Sequence, residues 1–110
     1  MDRRLKLDEK LREFLGLGPQ DRDYLYFQPP ESMKLKFDRE CTIIYSRQAK
    51  DVRRADDRPY NVQDSYQIVL ITRNPDSNSP REFLESFPKA SPGRPYVSNN
   101  LYHHPFNLLF

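Results

Sequence analysis

An α+β fold, an antiparallel β-sheet flanked by an N-terminal helix and a short second helix, is predicted by three features of the sequence. Leu7, Leu11, Phe14 and Leu15 recur at i, i+4, i+7 and i+8, the spacing of one helix face. Two runs, Cys41–Arg47 (CTIIYSR) and Tyr66–Arg73 (YQIVLITR), are rich in β-branched and aromatic residues and short enough to be strands. Ser79-Pro80-Arg81-Glu82 then carries the start signal of a second helix. At 110 residues the chain fits a single domain spanning 1–110.

The first helix covers the opening fifteen residues, with Asp2 as its cap and Gly16 as a left-handed stop. Leu17 is expected to fold back on Leu11, and Pro19 forbids continuation. Arg4, Asp8, Glu9 and Arg12 read as its solvated face. Tyr24–Phe27 is a short aromatic strand closed by Pro29-Pro30, and Glu31–Glu40 is a polar linker anchored by Leu35 and Phe37. In the next strand Cys41, Ile43 and Tyr45 share one face, opposite Thr42, Ile44 and Ser46. Tyr66–Arg73 is apolar on both faces in its middle, which predicts a central strand covered on both sides.

Between these strands lies Gln48–Ser65, a long charged hairpin loop well beyond the usual two to five residues. Either the strands extend into it or it protrudes. Asn74–Ser79 is turn chemistry, followed by Ser79 as N-cap, Pro80 at the first helical position and Glu82 completing a capping box. That helix is expected to bury Phe83, Leu84 and Phe87 and to stop at Pro88. Ala90–Pro95 is a Pro/Gly loop and Tyr96-Val97 is extended. Ser98–Asn100 turns, and Pro105–Phe110 ends as a strand with Phe106, Leu108 and Phe110 on one face.

Composition narrows the function. Net charge is +2, with 36% hydrophobic residues; Leu, Ile, Val and Phe total 27 of 110, enough to fold but around a thin core. Part of the apolar surface, rich in 7 Tyr and 7 Phe, is therefore expected to be buried against other subunits. The longest apolar run is Ile68–Ile71, too short for a membrane span, and the N-terminus lacks a signal-peptide pattern. A single cysteine, Cys41, leaves no internal disulfide or Cys-based zinc cluster and suits a reducing cytoplasm. It reads as a buried structural thiol. His103-His104 in an extended segment point to opposite sides, a poor start for a metal site. There is no GxSxG elbow or glycine-rich phosphate loop, and the Asp56-Asp57 and Asp38/Glu40 pairs read as solvated surface. The reading is a non-enzymatic protein with no catalytic residue, no metal and no cofactor.

The charged loop holds most functional content. Arg47, Lys50, Arg53, Arg54 and Arg58 are interleaved with Asp51, Asp56 and Asp57. One such loop is a weak nucleic-acid signal, but repeated around a ring it would line a channel with cations beside acids.

The carboxyl-terminal half carries a further pattern. It comprises Pro59-Tyr60, Asp64-Ser65-Tyr66-Gln67-Ile68, Thr72-Arg73-Asn74-Pro75-Asp76-Ser77, Arg94-Pro95-Tyr96 and Asn100-Leu101-Tyr102-His103. Upstream, Tyr26-Phe27-Gln28-Pro29-Pro30, Leu35-Lys36-Phe37 and Ile43-Ile44-Tyr45 belong to it. Over residues 24–110 the chain resembles the tail terminator, or tail completion, group of neck proteins of long-tailed bacteriophages. Asn74 stands where that pattern more often has Asp. The resemblance implies a structural virion protein, made in the host cytoplasm, whose six copies form a ring on the head-proximal end of the tail tube. Such a ring stops tube growth and meets the head connector, with DNA passing through its bore.

The implied partners are other copies of the chain, the tail tube protein, the head–tail connector or stopper protein, and genomic DNA without sequence-specific binding; no membrane is involved. The lumen-facing residues are then Arg47, Lys50, Arg53 and Arg54. The subunit interface is assigned to Tyr24, Tyr60, Tyr96 and Tyr102, since tyrosine gives large contact area with a polar tip. Tyr26 reads as local core. An adaptor or stopper ring of the same neck, and a monomeric nucleic-acid-binding module, remain as alternatives.

Overall fold

The computed structural model describes residues 3–48 and 65–110. Helix α1 (Arg3–Leu15) ends as its sequence requires. Gly16 takes φ +71°, its N–H donates to the Glu13 carbonyl, and the Leu17 N–H reaches the Arg12 carbonyl at 2.8 Å. These two bonds form a Schellman closure, and Leu17 packs on the core cluster that contains Leu11. Asp2, the expected cap, lies outside the described residues.

Among the described residues the sheet has six strands. β1 (Leu25–Phe27) runs parallel to β2 (Cys41–Arg47); β2 pairs antiparallel with β3 (Ser65–Thr72), and β3 antiparallel with β6 (Leu101–Leu109). Helix α2 (Ser79–Ser86) follows β3. The outer edge of β6 is shared by β4 (Ser91–Pro92), opposite Phe106 and Asn107, and β5 (Tyr96–Ser98), opposite Leu101–His103. Pro105 explains the division. Its carbonyl accepts from the Gly93 N–H at 2.8 Å, so its missing N–H faces that same edge and cannot carry a continuous ladder. The chain passes so close there that a side chain on Gly93 would meet the Pro105 ring at 3.1 Å.

One face of the sheet carries Leu25, Ile43, Tyr45, Tyr66, Ile68, Leu70, Phe106 and Leu108, all buried under α1 and α2. Phe83 is the hub of this layer. Its ring lies 5.5 Å from Phe14 edge-on, 4.7 Å from Phe87 stacked and 4.8 Å from Phe106. Phe83, Phe87 and Phe106 are thus buried within the subunit, while Phe14, Phe27, Phe37 and Phe110 are half-buried.

Several local expectations are corrected. Residues Asp8 and Arg12 do not form a solvated face. Arg12 Nε donates to Asp8 Oδ1 at 2.7 Å, and the buried Tyr45 hydroxyl donates to Asp8 Oδ2 at 2.6 Å. Arg12 also donates to the carbonyls of Gly18 and Asp21, and the Arg4 guanidinium covers the Phe27 ring at 4.6 Å. Only Glu9 of that set is exposed.

The capping box is absent. Asn78 is the N-cap, with no side-chain cap bond, and Pro80 is the second helical residue. The Ser77 hydroxyl accepts from the Ser79 N–H instead, so the turn rather than Ser79 itself satisfies the helix start.

Strand β3 is central but not covered on both faces: Gln67 is exposed and Val69 only half-buried. The linker explains why part of that second face is closed. The Tyr26 hydroxyl accepts the Lys36 N–H at 2.9 Å and Thr42 Oγ1 donates to the Lys36 carbonyl, closing the face over Tyr26 and Thr42, beside which Ile71 is also buried. The last strand starts four residues earlier than expected, Leu84 is half-buried rather than buried, and the 90–95 loop contains β4. The β2–β3 ladder closes with the Gln48 N–H on the Ser65 carbonyl; the charged loop beyond lies outside the described residues.

Candidate assembly surfaces

The predicted tyrosines fall on opposite edges of the sheet. Tyr24 immediately precedes β1 and holds φ +76°, a conformation costly for a bulky side chain. Its carbonyl accepts the Ile43 N–H at 2.9 Å, which starts the β1–β2 pairing and fixes that strained backbone. The Tyr24 hydroxyl donates to Asp38 Oδ1 at 2.7 Å, and the Arg39 guanidinium lies 5.1 Å from the ring centre. The hydrogen bond to Asp38 raises the phenol pKa and, reciprocally, holds the carboxyl below its usual range. Arg73 donates to the Asp38 carbonyl, and Asp38, Arg39, Glu40, Arg73 and Asn74 line a shallow cleft beside it.

At the other edge, β5 and β6 form a hairpin closed by Asn99 (φ +53°) and Asn100 (φ +63°). Two consecutive left-handed residues make the tight type I′ turn that suits the twist of paired strands, and Asn tolerates that region. Every residue from Ser91 to Asn100 is exposed. Tyr96, 50% exposed, stacks on His103 with ring centres 4.7 Å apart and planes 12° from parallel, while Val97 is 63% exposed. Tyr102 is half-buried, opposite Val97 on one side and Thr72 on the other. Tyr96 and Tyr102 therefore lie in one hairpin but on opposite faces of it, since Tyr96 is paired with His103 and Tyr102 with Val97, and Tyr24 is set apart. Tyr26 is core, at 3% exposure.

Arg47 ends β2, exposed, with its N–H on Gln28 Oε1 and its guanidinium 5.8 Å from the Tyr66 ring centre. Tyr60, Lys50, Arg53 and Arg54 lie outside the described residues.

Much of the motif pattern is turn chemistry. Asn74 Oδ1 accepts the Asp76 N–H at 2.9 Å, and the Asn74 carbonyl accepts from Ser77 and from Thr72 Oγ1, which shapes the link from β3 to α2. A carboxylate would accept the same bond, so Asn at this position keeps the turn.

The Cys41 thiol packs against the core, and burial pushes it up to about 12. His103 pairs with Ile71 and His104 with Leu70, so the two rings take opposite faces; burial, then its neighbour His103, lowers the His104 pKa. Among the described residues no group of three His, Cys, Asp or Glu is placed to hold a metal ion, and no helix is long and apolar enough to cross a membrane.

The sequence reading missed one surface. Lys6 and Lys10 of α1 and Lys89 after α2 surround a cleft of about 420 Å³ whose floor includes Phe87, Leu108 and Phe110. Lys6 and Lys10 share a helix face, but nothing in the sequence places Lys89 beside them.

No protein-family model matches the chain, and no curated protein or solved structure matches it.

Proposed function

We propose that the chain is a ring-forming virion subunit, a tail terminator of a long-tailed bacteriophage. Six copies close the head-proximal end of the tail tube, stop its growth and join it to the head connector, with DNA passing through the bore. The observation that carries the reading is the uncovered β5–β6 hairpin, with Tyr96 and Val97 presented to solvent at one sheet edge while Tyr24 and Arg39 sit at the other. A ring needs two different surfaces on each subunit, one meeting the other on the next copy, and opposite edges of a sheet supply them. Tyr and Arg are also the residue types that carry most energy in protein contacts. Further support comes from the motifs over residues 24–110 and from an α+β subunit with a mostly antiparallel sheet under two helices.

Light scattering during size-exclusion chromatography over a hundredfold concentration range tests this, with and without tail tube protein. The expected species has about six times the 13.2 kDa subunit mass. It is lost in Tyr96→Ala/Val97→Ser and blocks elongation of the tube. A ring that forms but leaves tube growth unaffected points to an adaptor or stopper ring. A monomer at every concentration, with tube protein present, overturns the reading.

A further inference from the structure

The lysine-rimmed cleft lies at the end of the sheet remote from the Tyr24 and Tyr96 edges, beside the last residues of β6. Its floor is apolar and aromatic, from Phe87, Leu108 and Phe110, and its rim is cationic. Lys10 Nζ leans over the Phe110 ring at 5.3 Å. Elsewhere in the subunit Arg12 pairs with Asp8 and Lys36 with Asp23. Lys6, Lys10 and Lys89 have no carboxylate partner among the described residues, although all three are exposed. Leu109, 51% exposed, extends the apolar strip at the rim.

We propose that this cleft is a docking site for a segment of a partner protein in which an aromatic or large aliphatic side chain is flanked by carboxylates. The volume suits one large side chain with its adjoining backbone. The floor removes that side chain from water, and the three ammonium groups meet acids on either side of it, giving selectivity and faster encounter. A nucleic-acid backbone is a poorer fit, because it requires a longer track of cations than three lysines around an apolar floor. The inference is independent of the ring: it concerns a different end of the subunit and is read by a different assay.

The probe is an array of ten-residue peptides with Phe, Leu or Ser at the centre and Asp/Glu, Ser or Lys at the flanks, incubated with the labelled full chain. The tightest acidic peptide is then titrated into the ¹⁵N-labelled chain. Acid-flanked Phe and Leu peptides are expected to bind, with the Ser-flanked versions about tenfold weaker and the Lys-flanked ones silent. Amide shifts should concentrate at Lys6, Lys10, Phe87, Lys89 and Leu109. Lys6→Gln/Lys10→Gln/Lys89→Gln changes only exposed side chains, so it should keep the parent Tm while losing binding at least about tenfold. Phe110→Ala tests the floor separately and should weaken every apolar peptide alike.

Any of five results overturns the proposal: binding indifferent to flanking charge, no binding across the array, amide shifts that map elsewhere, loss of self-association in the triple variant, which makes the occupant a second copy, or displacement of the best peptide by added dodecanoate, which makes it a free amphiphile.

Discussion

The two halves of the sheet are built on different principles. Across β1, β2, β3 and the C-terminal part of β6, side chains on one face interlock with two helices, and Leu7, Leu11, Ile43, Ile68, Leu70 and Phe83 are fully removed from water. Around β4, β5 and the N-terminal part of β6, backbone pairing and a tight turn maintain the shape while every side chain from Ser91 to Asn100 stays exposed. The first region holds itself together; the second is stable as backbone but unfinished as surface. A short hairpin with nothing packed on it is marginal in water, so this one depends on the ladder that β6 shares with β3. Substitutions should therefore cost folding energy in the first region and association energy in the second.

The largest expected effect is Phe83→Ala. Removing a fully buried ring that touches Phe14, Phe87 and Phe106 leaves a cavity between both helices and the sheet, at about 3–5 kcal/mol. Urea denaturation should show this as a lower midpoint with an unchanged slope. A loss below about 1 kcal/mol would break the comparison, because the helix-covered face would then not be the structural centre.

Next comes the junction of Asp8, Arg12 and Tyr45. Tyr45→Phe removes the hydroxyl that reaches Asp8 Oδ2 at 2.6 Å, at about 1.5 kcal/mol for a bond to a charged acceptor. Burial first, and the Asp8 hydrogen bond second, push the Tyr45 phenol well above its ordinary value of 10.0. A group whose folded pKa is raised contributes stability that is complete below the unfolded value and falls as pH rises beyond it. Stability of the parent chain should therefore decline above about pH 10, and Tyr45→Phe should flatten that decline. Cys41 acts in the same direction between 9.0 and about 12, so Cys41→Ala should flatten the lower part of the same limb. Denaturation midpoints from pH 7 to 11 check both.

Gly16→Ala should cost about 1 kcal/mol by the same assay. The position is open, so no atom is displaced, and the whole cost is an L side chain forced to φ +71°. That change separates the stop of α1 from the packing of Leu17 beyond it.

The division between regions also governs how much was legible in the sequence. The strands β2 and β3, the Gly16 stop and the Phe83/Phe87 pair followed from periodicity and from the conformational demands of single residues, which act locally. The Asp8–Tyr45 contact spans 37 positions and the Lys6–Lys89 cleft brings together the two helix regions, so neither leaves a local signature. The open side of β3 was misread because apolar alternation reports what a strand contains, not what covers it. Val69 and Ile71 have equal apolar character, yet the linker that reaches Tyr26 and Thr42 leaves only the first half-exposed. The expected strand began at Pro105, whereas β6 begins at Leu101 and runs through the proline, whose missing N–H faces the one edge where pairing is already interrupted.

The smallest expected effects on the subunit belong to the hairpin. Val97→Ser removes an apolar group that is 63% exposed and should change monomer stability by no more than about 0.5 kcal/mol at protein concentrations below assembly. Asn100→Gly should raise it by a few tenths of a kcal/mol, since φ +63° suits glycine and Asn-Gly favours this turn. The pair is informative because the changes act on different parts of one element. Asn100→Gly relieves the left-handed backbone of the turn and leaves the exposed side chains of β5 in place, so it should preserve or strengthen association. Val97→Ser leaves the backbone alone and strips surface, so it should weaken association far more than folding. If both changed folding and association in parallel, the hairpin would be packed like the helix-covered face. The contrast between a finished core and an unfinished edge would then be lost.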